Sequence, residues 1–184
     1  MKLTAWCVAA MALALVWSGV AQAGDAYAKS GTIAVGGTLS YIDVLADGTV
    51  YTAGSSVKMF GPDRQLVREW ALPFQAQVVA ADAQGNVYAA GMGKLKGEKA
   101  PSGLLAKLGV DQAGKPAVLT TMKMAAPVKA VTSLKTANGI VYWGESSPGR
   151  CIHKVNAADG KYLGKVNCKL STCCGILDFD LDGQ

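Results

Sequence analysis

The sequence predicts an all-β chain of repeated four-stranded antiparallel units, and three observations predict it. Short apolar runs alternate with turn residues, including 22 glycines in 184 residues, a pattern of many short strands rather than long helices. One strand–turn–strand pattern recurs along the chain, and a second hairpin follows each complete copy of it. A hydrophobic content of 51% against 17% charged residues excludes a disordered chain.

The recurring hairpin runs Ile42-Asp43-Val44-Leu45-Ala46-Asp47-Gly48-Thr49-Val50-Tyr51 in its first copy. Val78 to Tyr88 repeats it through Gly85, and Val131 to Tyr142 through Asn138-Gly139. Gly175 to Gln184 starts a fourth copy that reaches only its Asp182-Gly183 turn. The Gly of each turn supplies the positive φ that tight hairpins demand. The aliphatic-Tyr pair that follows suits a half-buried strand.

The second hairpins read Val57–Phe60 to Gln65–Trp70, Leu104–Val110 to Ala117–Met122, and Cys151–Asn156 to Lys161–Cys168. Two hairpins make four antiparallel strands, which is one blade of a β-propeller. The turn glycines lie 37, 54 and 44 residues apart (48 to 85, 85 to 139, 139 to 183), bracketing the roughly 40–50 residues of a blade. The longest interval holds the Gly- and Lys-rich stretch from Gly91 to Gly103, expected to be a loop insertion. A β-sandwich would explain the short strands but not one pattern recurring on one period. The expectation is a propeller fragment: about three blades and the first strand of a fourth, over residues 39–184. The chain ends where an aliphatic-Tyr strand is due, so it is read as part of a larger ring; three open blades completed by self-association is the poorer alternative.

The form apolar-x-x-Asp-x-x-Gly-x-aliphatic-Tyr-small-Ala/Gly, matched at Val44 to Ala53, at Val79 to Ala90 and more loosely at Leu134 to Gly144, resembles NHL-type repeats and the related six-bladed propellers that include gluconolactonase-like proteins. That resemblance implies a fold shared by binding, scaffold and hydrolytic members, and does not by itself assign an activity. In gluconolactonase-like propellers a divalent cation sits in the central channel, so calcium held by Asp43, Asp178 and Asp180 is what the hydrolytic branch implies. Asp82 lies in a turn, where a local hydrogen bond accounts for it. Asn156 to Lys161 is similar to the blade turn of quinone-dependent dehydrogenases, but the docking Trp those repeats carry after the Gly is missing.

The first 23 residues read as a signal peptide. Lys2 gives a minimal positive start, Leu3 to Val16 is apolar, and Ala21-Gln22-Ala23 fits the small-x-small rule for cleavage before Gly24. The apolar stretch is shorter than the roughly 20 residues of a membrane span, so a secreted or periplasmic location is expected, with residues 24–38 as a lead-in. Removing Lys2 lowers the net charge from +5 to +4. Lys94, Lys96 and Lys99 form the single basic cluster, interrupted by Glu98 and without aromatic neighbours, so a nucleic-acid partner is not expected.

Four cysteines remain after cleavage: Cys151, Cys168, Cys173 and Cys174. In an oxidising compartment an even count reads first as disulfides. A two-residue Asp159-Gly160 turn would put Cys151 opposite Cys168; a four-residue turn would make them diagonal neighbours. Cys173-Cys174 would then form a vicinal pair, and Cys168 bonded to Cys173 or Cys174 is the alternative. A Cys-Cys-Gly start of this kind also resembles some exported NHL-type proteins. A copper(I) or zinc site from Cys168, Cys173, Cys174 and His153 is a further alternative. His153, the single histidine, has no Ser or carboxylate at a recognisable catalytic spacing and is expected to be a surface or packing residue.

No catalytic residue and no resident cofactor is therefore expected. The leading functional expectation is an exported propeller scaffold that binds a protein or small molecule. A metal-dependent lactonase-like hydrolase is the alternative, and a redox role for Cys173-Cys174 the third.

Overall fold

In the computed structural model the described residues are 31–82, 84–124, 130–145 and 151–167. The chain divides into two units, Met1–Thr32 and Ile33–Gln184, and every strand among the described residues belongs to the second. Strands β1 (Leu39–Val44), β2 (Val50–Gly54), β3 (Val57–Phe60) and β4 (Leu66–Trp70) form one sheet. Strands β5 (Gln75–Ala81), β6 (Val87–Gly93), β7 (Ser102–Val110) and β8 (Pro116–Lys123) form the second. The third comprises β9 (Val131–Ala137), β10 (Ile140–Glu145), β11 (Cys151–Asn156) and β12 (Tyr162–Asn167). Each sheet is a four-stranded antiparallel meander in chain order, the unit the paired hairpins predict. No helix among the described residues is long and apolar enough to cross a membrane.

The turns are built by local chemistry. Between β9 and β10 only Asn138 and Gly139 intervene, both with positive φ (51° and 72°), the two-residue hairpin turn that an Asn-Gly pair favours. Elsewhere a three-residue loop recurs. In it the amide of Leu45 donates to the carbonyl of Thr49, and the amide of Gly48 donates back to the carbonyl of Leu45. The turns closed by Gly61 and Gln65, Asp82 and Asn86, and Asp111 and Lys115 follow the same scheme. Each carries an Asp that accepts a backbone amide two residues on: Asp47 from Thr49 at 2.8 Å, Asp63 from Gln65 at 3.1 Å, Asp82 from Gln84 at 3.0 Å and Asp111 from Ala113 at 2.9 Å. The local bond expected of Asp82 is present, and Asp82 also takes the Asn86 amide.

Alternation along the strands then assembles the blades. Ala76, Val79, Val87, Ala89, Leu104, Ala106 and Leu108 of the second sheet pack against Tyr51, Ala53, Val57 and Trp70 of the first. Their neighbours Val78, Ala80, Tyr88, Ala90 and Leu105 pack instead against Val131, Leu134, Val141, Trp143 and Val155 of the third. The middle sheet is thus buried on both faces, as parallel layers around one ring require. Three polar clips join the blades: Trp70 Nε1 donates to the Gly109 carbonyl (2.7 Å), the Ala81 amide to Asp43 Oδ2 (3.0 Å), and the Val131 amide to Gln77 Oε1 (3.2 Å).

The Gly-rich insertion is smaller than its composition suggests. Gly91 pairs with Leu104 and Gly93 with Ser102, so both ends of the stretch extend the β6–β7 ladder. Glycine stands at these places because a Cβ on Gly91 would meet the Gln75 carbonyl oxygen, and one on Gly93 the Phe74 side chain. The remaining loop is tied by Glu98, which accepts from the Leu95 amide, Ser102 Oγ and Lys123 Nζ. Those bonds, led by Lys123, hold the Glu98 carboxyl below its ordinary pKa.

Candidate functional site

The densest polar chemistry lies on the β10–β11 hairpin, on the face turned toward the middle sheet. The register pairs Trp143 with His153 and Val141 with Val155. Continued one step past Gly144 and Ile152, it places Glu145 opposite Cys151. Because strand side chains alternate, Val141, Trp143, Glu145, Cys151, His153 and Val155 all share one face. The first part of that row is apolar core; the last part is Glu145, Cys151 and His153, all buried.

Three donor atoms converge there. His153 Nε2 lies 3.0 Å from Glu145 Oε2 and 3.1 Å from Cys151 Sγ, and Cys151 Sγ lies 3.4 Å from Glu145 Oε2. The imidazole is held from two further sides. Its ring stacks on Trp143, with centroids 3.8 Å apart and planes 7° from parallel. Its Nδ1 sits 3.0 Å from the Tyr162 hydroxyl. Burial, together with the neighbouring Cys151 and Glu145, raises the Tyr162 pKa. Tyr162 also lines a cleft with Leu105, Met122, Met124, Val155 and Gly160, between the outer strands of the second and third sheets.

His153 is therefore a buried residue with a carboxylate partner, not a surface one. Hairpin pairing, not helical or local spacing, brings the carboxylate in from eight residues upstream. Glu145, Trp143 and Tyr162 were not singled out from the sequence. The available signal was a Glu in the apolar register of β10, facing a Cys-x-His in the same register of β11.

The other site expectations divide. Asp43 faces the second sheet, where one of its carboxylate oxygens takes the Ala81 amide; Asp178 and Asp180 lie outside the described residues. Among the described residues the one group of three ligand-bearing side chains is Glu145, Cys151 and His153, and its sulfur and nitrogen donors do not suit calcium. Cys168, Cys173 and Cys174 lie outside the described residues, as do Ala21, Ala23 and Gly24. The hairpin carrying Cys151 uses the longer turn: the Asn156 amide donates to the Lys161 carbonyl across Ala157 to Gly160. A bulge between Lys154 and Val155 then shifts the register, so that Cys151 pairs with Asn167.

No family model and no curated protein sequence matches the chain. Solved structures do resemble it, among them the WD40 repeats of RRP9, and U3-55K. Each is 14% identical with a TM-score of 0.52 over 72% of this chain, and the match covers 39% and 40% of their respective lengths. The chain thus spans about two fifths of the structures it matches. The likeness is one of fold, and with the three meanders it establishes a set of β-propeller blades. The neighbours are WD40 propellers, so what is shared with the NHL-type pattern of the sequence is the blade.

Proposed function

We propose that this chain is an exported β-propeller scaffold that binds a partner rather than transforming a substrate. The observation that carries the reading is on β1, the first strand of the first blade. Tyr41 and Asp43 face the second sheet, whereas Ile42 and Val44 point the other way and are 50% and 59% exposed. Two adjacent aliphatic positions at that exposure on a strand offer an apolar surface that a partner, or a further blade, would cover. The middle blade is fixed by burial on both faces and the first two by their Asp-tied turns, which suits presentation of loops and edges from a rigid frame. The WD40 neighbours support the same reading by analogy of fold.

The hydrolase alternative receives no support from Asp43, whose carboxylate serves the join between blades. The test is site-specific photo-crosslinking in the producing cells, with the probe at Ile42 or Val44 and a control probe at Gln112. One discrete partner captured from the first two positions and not from Gln112 is the expected result. Calcium-dependent lactone turnover by the purified protein would overturn it in favour of the hydrolase. Export is checked separately by N-terminal sequencing of the secreted or periplasmic protein, which should begin at Gly24.

A further inference from the structure

We propose that Glu145, Cys151 and His153 form a zinc(II) site that staples the third blade. The three donors are a carboxylate oxygen, a cysteine sulfur and an imidazole nitrogen, on the corners of a triangle with sides of 3.0, 3.1 and 3.4 Å. Ordinary Zn–N, Zn–O and Zn–S bond lengths give tetrahedral edges of about 3.3–3.6 Å. The donor-to-donor distances therefore lie within about half an ångström of those in a zinc site.

The chemistry of the donors selects the metal. Sulfur and imidazole exclude calcium and magnesium, which take oxygen ligands. The carboxylate is too hard a partner for copper(I), whereas the mixed S, N and O set is within zinc's range. The environment points the same way. Glu145 and His153 are 3% and 2% exposed, so three groups rich in lone pairs face one another away from water. A cation at their centre compensates the buried carboxylate and engages all three groups together.

The surroundings of His153 are those of a metal ligand. Stacking on Trp143 fixes the plane of the ring, and Tyr162 engages Nδ1, leaving Nε2 directed at Glu145 and Cys151. A hydrogen-bond partner on the distal ring nitrogen is the usual way a ligating histidine is oriented and its tautomer set. The ligands come from β10 and β11 and their support from β12, so the ion would tie three of the four strands of one blade. The three side chains supply three of zinc's four tetrahedral positions, so a water would complete the coordination. Binding releases one proton when the Cys151 thiol gives up its hydrogen to become a thiolate.

The experiment uses the whole chain, stripped with chelator under mild reductant and titrated with cobalt(II), then with zinc(II). The expected result is one cobalt per chain, with a thiolate-to-cobalt charge-transfer band and intense tetrahedral visible bands that zinc displaces. Cys151→Ser removes the charge-transfer band. Glu145→Gln and His153→Gln weaken binding more than a hundredfold. Tyr162→Phe weakens it about 10- to 100-fold, as loss of a supporting hydrogen bond does. A triple Cys168→Ser, Cys173→Ser, Cys174→Ser variant keeps the band. The proposal is overturned if no cobalt binds, if the band follows the triple variant instead of Cys151→Ser, or if peptide mapping of the exported protein finds Cys151 in a disulfide. Circular dichroism of each variant separates loss of metal from loss of fold; should Cys151→Ser unfold, the Glu145→Gln and His153→Gln affinities decide.

Discussion

The imidazole of His153 lies flat against the indole of Trp143, 3.8 Å away and 7° from parallel, at the point where the apolar face of β10 becomes polar. The indole is fully buried, and among the described residues its Nε1 finds no hydrogen-bond acceptor. Trp143→Ala removes both the packing and the stack and should cost about 3–5 kcal/mol. Trp143→Phe loses some volume but also removes a buried unsatisfied N–H, worth about 1–3 kcal/mol when orphaned. We expect it to cost under about 1.5 kcal/mol in urea unfolding. A Phe variant as damaged as the Ala variant would show that the indole nitrogen is satisfied.

Gly160 and Gly114 both have positive φ, 72° and 77°, but differ in their surroundings. A Cβ on Gly160 would collide with the Met122 side chain, whereas one on Gly114 meets nothing within 4 Å. Gly114→Ala should cost about 1–2 kcal/mol, the strain of a left-handed Ala alone. Gly160→Ala adds overpacking of about 1–3 kcal/mol and should lower the melting temperature visibly more. Equal losses would mean that Met122 swings aside freely.

Arg64 occupies the left-handed corner of its turn with φ 67°, the position Gly holds in the equivalent Gly48, Gly85 and Gly114 turns. Arg64→Gly relieves about 1–2 kcal/mol of backbone strain and loses about 0.5–1 kcal/mol to unfolded-chain entropy. The net expectation is a stabilisation of about 0.5–1 kcal/mol in chemical denaturation. A destabilised variant would assign the Arg64 side chain an interaction of its own.

Tyr51 and Tyr88 are buried in the two inter-blade cores, and burial raises both phenol pKa values above the ordinary 10.0. A folded pKa above the unfolded one means the contribution is present in full below pH 10 and lost as pH rises through the folded values. Stability should therefore fall above about pH 10, with late ionisation of these phenols by ultraviolet titration. Tyr88→Phe should flatten the alkaline slope relative to the parent; an unchanged slope would place the loss in other groups.

Much of the architecture was legible because its determinants are local. Gly48, Gly85 and Gly139 mark their turns by the φ each needs, and the aliphatic-Tyr pair after each marks the next strand. The polar cluster was not legible, because Glu145 and Cys151 meet only through the β10–β11 register, and Tyr162 joins them through the separate β11–β12 register, which a bulge between Lys154 and Val155 shifts. A one-residue offset of this kind decides which side chains share a face, and no residue type announces it. The role of Asp43 was hidden for a related reason: its partner, the Ala81 amide, is on another blade.

The two-faced burial of the middle sheet has a consequence for how the molecule comes apart. Opening β1–β4 uncovers one side of β5–β8, and opening β9–β12 uncovers the other, so among the described blades the middle one has two boundaries to break and each of its neighbours one. Amide exchange should therefore be slowest along β6, where Val87, Tyr88, Ala89 and Ala90 are buried to alternate sides. The order of release would run from the outer blades inward, making β6 the last part of the chain to forget its neighbours.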